Sequence, residues 1–196
     1  MTTFKELLSD PGVRLADVTN HLDGLGRAER ILESMALDRK AQERLWHIAE
    51  ASQPLTLDYL LPADAKALDP YPFEGKNSLP IFTRFQKVFY RTEEGTVGGY
   101  NNSSVGPVVG PGYYVTHLWD TRPGELAVDY LQVPKSKPAS WPPIKPNDVG
   151  ITQFVYGGMV DFLRWVSDDV VIGRAYKKGI DPMPNWFVLC RTRPRA

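Results

Sequence analysis

Side chains able to move a proton near neutral pH are scarce in this chain, which has three histidines (His21, His47 and His117) and one cysteine, Cys190. The histidines lie far apart, with no His-x-His or His-x-x-x-His pair, and a single cysteine cannot build a Cys-rich zinc site or an internal disulfide. No metal site is therefore expected. His117 holds the most chemical interest, because residues 112–119 read as a strand. There Tyr113, Val115 and His117 share one face, and Tyr114, Thr116 and Leu118 share the other. The next strand-like stretch, 125–133, alternates Ala127, Asp129 and Leu131 with Leu126, Val128 and Tyr130. Pairing the two as a hairpin around 120–124 brings Asp129 or Tyr130 near Tyr113–Tyr114, and a one-residue slip would invert every face. With His117 as base, Tyr114 as proton donor and Asp129 as orienting carboxylate, such a group has the parts for cofactor-free acid–base chemistry. Isomerase, dehydratase and cyclase reactions fall in that class. The competing reading is a strand histidine paired with Asp120 or solvent, beside tyrosines that cover a core.

Other chemistries find less support. The run from Gly95 to Gly112 is glycine-rich, but it lacks Gly-x-Gly-x-x-Gly spacing, a Gly-Lys-Ser/Thr motif and a following helix, so it reads as a hairpin with a broad loop. Ser103 and Ser104 sit outside any nucleophile elbow. Cys190 alternates with Trp186 and Val188, the pattern of a buried core thiol. Arg84, Gln86 and Tyr90 share a face opposite Phe85 and Phe89. If that polar face lines a pocket, Arg84 and Arg174 become partners for a ligand carboxylate, since a guanidinium pairs with one bidentately. As surface residues they are simply solvated.

Composition divides the chain into two unlike parts. Residues 1–80 carry 9 basic and 13 acidic side chains with 4 glycines, and residues 81–196 carry 14 basic and 10 acidic with 12 glycines. The first part reads as helical: Ala28, Ile31, Leu32 and Met35 fall on one face, as do Ala41, Leu45, Ile48 and Ala49 after an N-cap at Asp38. Pro54 ends that helix, and a third short one is expected over 56–68, interrupted by Pro62. Residues 69–80, with three prolines, read as an extended connector on the barrel surface. Strands are expected over 82–91, 96–101, 112–119, 125–133, 149–156, 169–176 and 185–191, joined by short turns into an antiparallel meander. Five prolines in 134–146 mark a stiff surface loop. Residues 157–166 show helical periodicity (Met159, Phe162, Leu163, Val166), with Asp161 on the other face. The expected class is α+β: a helical segment and connector (1–80) packed on an antiparallel domain (81–196) curled or closed into a barrel, which hides the sheet edges.

The order of a strand, a short helix with Met159-Val160-Asp161, then Val170-Val171-Ile172-Gly173 and a final strand resembles calycin barrels, the group of lipocalins and fatty-acid-binding proteins. The resemblance covers residues 80–192 and implies an interior cavity for a small, largely apolar molecule. Five tryptophans and nine tyrosines suit either a solid core or a pocket of flat walls for a hydrophobic or aromatic molecule. Tyr90, Asn101, Tyr114, His117, Tyr130 and Tyr156 are the expected wall. Binding of such a molecule is the first functional expectation, acid–base catalysis in the same pocket the second, and assembly through the amphipathic N-terminal helices into a homodimer the third. No cofactor is expected. Zero net charge over 196 residues argues against a nucleic-acid partner. No stretch approaches the length of a membrane span, and the first residues lack the apolar core of a secretory signal, so a cytoplasmic protein with no membrane partner is expected.

Overall fold

The computed structural model describes residues 2–80, 83–102, 112–147 and 157–194. Five α-helices and one 3-10 turn (Ala49–Ala51) precede the sheet: α1 (Phe4–Leu7), α2 (Leu15–Gly24), α3 (Arg27–Met35), α4 (Arg39–Ile48) and α5 (Leu57–Leu60). Local chemistry starts them: the Thr3 hydroxyl accepts from the Glu6 amide while the Glu6 carboxylate accepts from the Thr3 amide, a reciprocal cap on α1. The Asp38 carboxylate accepts from the Ala41 amide at 2.9 Å and caps α4, as its sequence position predicted.

Eight described strands then close into one antiparallel barrel in chain order: β1 (Tyr71–Asn77), β2 (Arg84–Arg91), β3 (Val97–Asn102), β4 (Tyr113–Leu118), β5 (Leu126–Asp129), β6 (Met159–Trp165), β7 (Val170–Lys177) and β8 (Asp181–Arg191), which returns to pair with β1. Closure leaves no edge strand to blunt. This is the expected α+β architecture.

Several elements differ from expectation: α1 and α2 were not expected, and the helix expected over 56–68 is confined to α5. Residues 69–80 are not a surface connector; they supply β1, paired on both sides, so the barrel begins at Tyr71. Pro72 is tolerated because it sits at the start of the strand, where its missing amide costs little. Residues 157–166 do not form a helix, since Met159–Trp165 is β6. Both faces of β6 are buried, so apolar residues occupy both parities and imitate helical spacing. The expected strand at 149–156 lies outside the described residues, as do 103–111 of the glycine-rich run.

The sheet has two buried faces. On the outside, α1 to α4 lay Phe4, Leu8, Val18, Leu22, Met35, Leu37, Leu45 and Trp46 over Val160, Phe162, Val170, Ile172, Trp186, Val188 and Cys190 of β6–β8. The face expected on α4 (Ala41, Leu45, Ile48, Ala49) packs within the chain, but that expected on α3 does not: Met35 is buried and Ile31 half-buried, while Ala28 and Leu32 are exposed. Arg164 holds the layers together, donating to the Trp46 carbonyl at 2.8 Å and to Glu125 at 2.7 Å. On the inside, α5 contributes Tyr59 and Leu60, with Leu61, to the barrel core and plugs one end. Arg191 ties that plug to the wall through the carbonyls of Tyr59 and Leu60 and through Asp169 at 3.1 Å.

Candidate functional site

Strand register decides which residues face the interior. Gly75 pairs with Phe85, Phe73 with Lys87, Lys87 with Asn101, Gly99 with Tyr114, and Val128 with Asp161. Each pair shares a face, and that face is the barrel interior.

Lys87 and Asp161 therefore project inward from β2 and β6, four strands apart in a ring of eight and so on opposite walls. They meet across the interior: Lys87 Nζ donates to Asp161 Oδ2 at 3.1 Å and to Asn101 Oδ1 at 3.2 Å, and it also contacts the Tyr130 hydroxyl. Asn101 Nδ2 donates to the same hydroxyl at 2.6 Å. All four residues are buried, with Lys87 only 2% exposed. Four rings surround the ammonium nitrogen, with centroids 4.9 Å (Tyr130), 5.0 Å (Tyr114), 5.1 Å (Phe187) and 5.8 Å (Phe85) away. Burial pushes the Lys87 ammonium below the ordinary lysine range, and the Asp161 charge opposes that shift. Burial likewise raises the Asp161 carboxyl, against the pull of Lys87. In both groups burial works against the charged form.

Aromatic rings fill the interior on the side toward α5. Phe73 meets Phe89 edge-on at 5.4 Å, Phe89 meets Tyr114 at 5.6 Å, and Tyr114 meets Tyr130 at 5.3 Å. On the other side of Lys87 stand Phe85 and Met159, both only partly buried. The connections β1–β2, β3–β4, β5–β6 and β7–β8 all lie at that end. One more polar atom faces inward: Thr116 shares the ladder row of Val128 and Asp161, and its buried Oγ1 has no hydrogen-bond partner among the described residues.

The expected site residues divide between the two faces. Asn101, Tyr130 and Tyr114 point inside and take part in the cluster. His117 and Asp129 do come together, at 3.3 Å, but on the outer surface, where Tyr114 cannot join them because it occupies the opposite face of β4. His117 has no nitrogen left for a substrate: Nδ1 donates to the Leu118 carbonyl at 2.7 Å and Nε2 faces Asp129. Asp129 also accepts from the Leu131 amide and from Gln132, so it secures the chain leaving β5. Tyr90 is outside too. Its hydroxyl donates to the Ser136 carbonyl and its ring meets Trp141 of the proline-rich loop at 5.2 Å. Arg84 is exposed, and Arg174 donates to the Met183 carbonyl on the outer face, so neither reaches an interior ligand. Tyr156 lies outside the described residues. Cys190 is buried, its thiol pushed up to about 12 by burial, and is chemically quiet.

Sequence reasoning passed over Lys87 and Asp161, although a signal was present. Phe85-x-Lys87-x-Phe89 and Met159-x-Asp161-x-Leu163 each place one charge in the middle of an apolar strand face. Among the described residues, no group of three or more His, Cys, Asp or Glu is placed to hold a metal ion, and no helix is long and apolar enough to cross a membrane.

Compared with family models, curated proteins and solved structures, the chain gives no significant match.

Proposed function

We propose that the barrel binds a small, neutral aromatic or apolar molecule, entering from the end opposite α5 and placing one carbonyl or hydroxyl group on the Lys87–Asp161–Tyr130–Asn101 cluster. The carrying observation is the cluster itself, four polar side chains converging from separate elements inside an aromatic-lined barrel. Burying two charges costs several kcal/mol per ion before their attraction is counted, of order 3–10 kcal/mol in relaxed proteins, and apolar residues would stabilise the same core as well or better. Convergent polar groups amid apolar walls are instead the composition of a ligand site. The unpartnered Thr116 hydroxyl adds a further contact for a polar ligand group.

Charge decides the ligand class. Asp161 already neutralises Lys87, so an incoming carboxylate would meet repulsion as well as attraction, whereas a neutral acceptor needs only a donor. Native mass spectrometry of protein purified from its natural host, followed by denaturing extraction, tests this reading. The expected result is one retained neutral aromatic or apolar compound per chain. Protein that is empty from the host and takes up no neutral aromatic compound at millimolar concentration would overturn it.

The second reading, acid–base chemistry in the same interior, is favoured by the coupled Lys87–Asp161 pair, which takes the roles expected of His117 and Asp129.

A further inference from the structure

An anchor for a neutral ligand needs a donor, and a hydroxyl or an amide supplies one without burying a charge. Lys87 offers something those groups lack, a nitrogen lone pair in reach of an acid. Moving one proton from Nζ to Asp161 Oδ2, 3.1 Å away, leaves a neutral amine beside a neutral carboxylic acid, with no proton lost to solvent and no net charge gained. A buried site enclosed by four rings favours that neutral pair over the separated ions. Every other lysine in the chain is exposed or half-buried. The depressed proton affinity that burial gives Lys87 acts in the same direction.

We propose that Lys87 is a nucleophile that condenses with the carbonyl group of a small aromatic or apolar aldehyde in the barrel, forming an imine with Asp161 as its proton partner. This rests on the binding reading above and names the ligand's reactive group. Lys87 Nζ attacks the carbonyl carbon, and a C–N bond forms as the carbonyl π pair moves to oxygen. Asp161 delivers its proton to that oxygen, giving a neutral carbinolamine once the nitrogen returns one proton to the carboxylate. The nitrogen lone pair then expels the hydroxyl, which takes the proton from Asp161 and leaves as water. The product is a protonated imine with the Asp161 carboxylate as counter-ion. Aldehyde and amine give imine and water, with no oxidant or reductant. Tyr130, in contact with Nζ, positions the nitrogen toward the interior.

The test uses the intact chain with benzaldehyde and sodium cyanoborohydride, which reduces an imine to a stable benzylamine. A free lysine titrates near about 10.4 and is almost wholly protonated at pH 7, so surface lysines react slowly there. The expected result is one adduct per chain at pH 7, mapped by peptide mass spectrometry to Lys87, forming at least tenfold faster than on any other lysine. Its rate should level off at a lower pH than the rates at exposed lysines, which keep rising. Adducts on exposed lysines with Lys87 unmodified would overturn the proposal, as would a Lys87 rate that climbs with pH in parallel with theirs. Benzyl alcohol, which carries the ring and a polar group but no electrophile, separates the two claims. Saturable binding of the alcohol without a Lys87 adduct removes the imine and leaves the binding reading intact. If the alcohol does not bind and no Lys87 adduct forms, both fall.

Discussion

Lys87 reaches Asp161 across the barrel, and removing either partner leaves the other ionisable group buried without its proton partner. Lys87→Met should therefore cost about 3–5 kcal/mol of unfolding free energy, and adding Asp161→Leu should recover most of it, because well-packed apolar pairs replace buried ion pairs at little cost. Urea denaturation of the single and double variants measures both steps. The pair also makes a pH prediction. Lys87 is lowered on folding, so between its folded value and the unfolded 10.5 the unfolded chain holds more protons and stability rises with pH. Asp161 is raised, so between the unfolded 3.8 and its folded value the folded chain holds more protons and stability falls with pH. The two slopes oppose each other in the wild type. Asp161→Asn removes one of them, so its melting temperature should climb from pH 6 to pH 9 more steeply than the wild type's. His117→Ala should cost about 1–2 kcal/mol, because the buried Asp129 loses one partner but keeps the Leu131 amide and Gln132, and should leave interior binding untouched. The His117–Asp129 contact was legible because both residues sit in one predictable hairpin. The Lys87–Asp161 contact was not, since it joins residues on opposite walls and depends on closure, which no local pattern encodes.

At the scale of elements, the barrel wall is shaped by three glycines lying beneath rings. Phe85 lies over Gly75, Tyr114 over Gly99 and Phe187 over Gly173, each from the neighbouring strand. Lying flat, Phe85, Tyr114 and Phe187 surround Lys87 without filling its position. A methyl at residue 99 would fall inside contact distance of both the Tyr114 ring and the Val88 carbonyl oxygen, and the latter is backbone that cannot swing away. Gly99→Ala should thus cost about 1–3 kcal/mol, measured by denaturation, and should disturb the Tyr114 side of the site. Helices α3 and α4 of the first part and most strands of the second were legible from periodicity and turn residues, whereas α1 and α2 were not expected. The strand at β6 was not, because a strand buried on both faces loses its alternation. For β1, three prolines outweighed an alternation of Tyr71, Phe73 and Gly75 that the structure places inward.

For the molecule as a whole, α1 to α4 cover the outer face of β6–β8 and α5 closes one barrel end. Deleting residues 2–50 should uncover Phe162, Ile172, Trp186 and Val188 and turn a well-behaved protein into an aggregating one, read by light scattering. The α+β class and the barrel followed from sequence because closure is the general remedy for free edges. The position of the site did not, because it depends on which end α5 occupies. The most direct test compares 2-naphthol with naphthalene, titrated by calorimetry or NMR into the wild type and into Lys87→Met/Asp161→Leu. Naphthol should bind the wild type saturably and lose about tenfold or more in the double variant, the worth of one buried hydrogen bond, while naphthalene changes little. Equal naphthol affinity for the two proteins, or no binding to the wild type, would contradict a ligand anchored on Lys87 and Asp161.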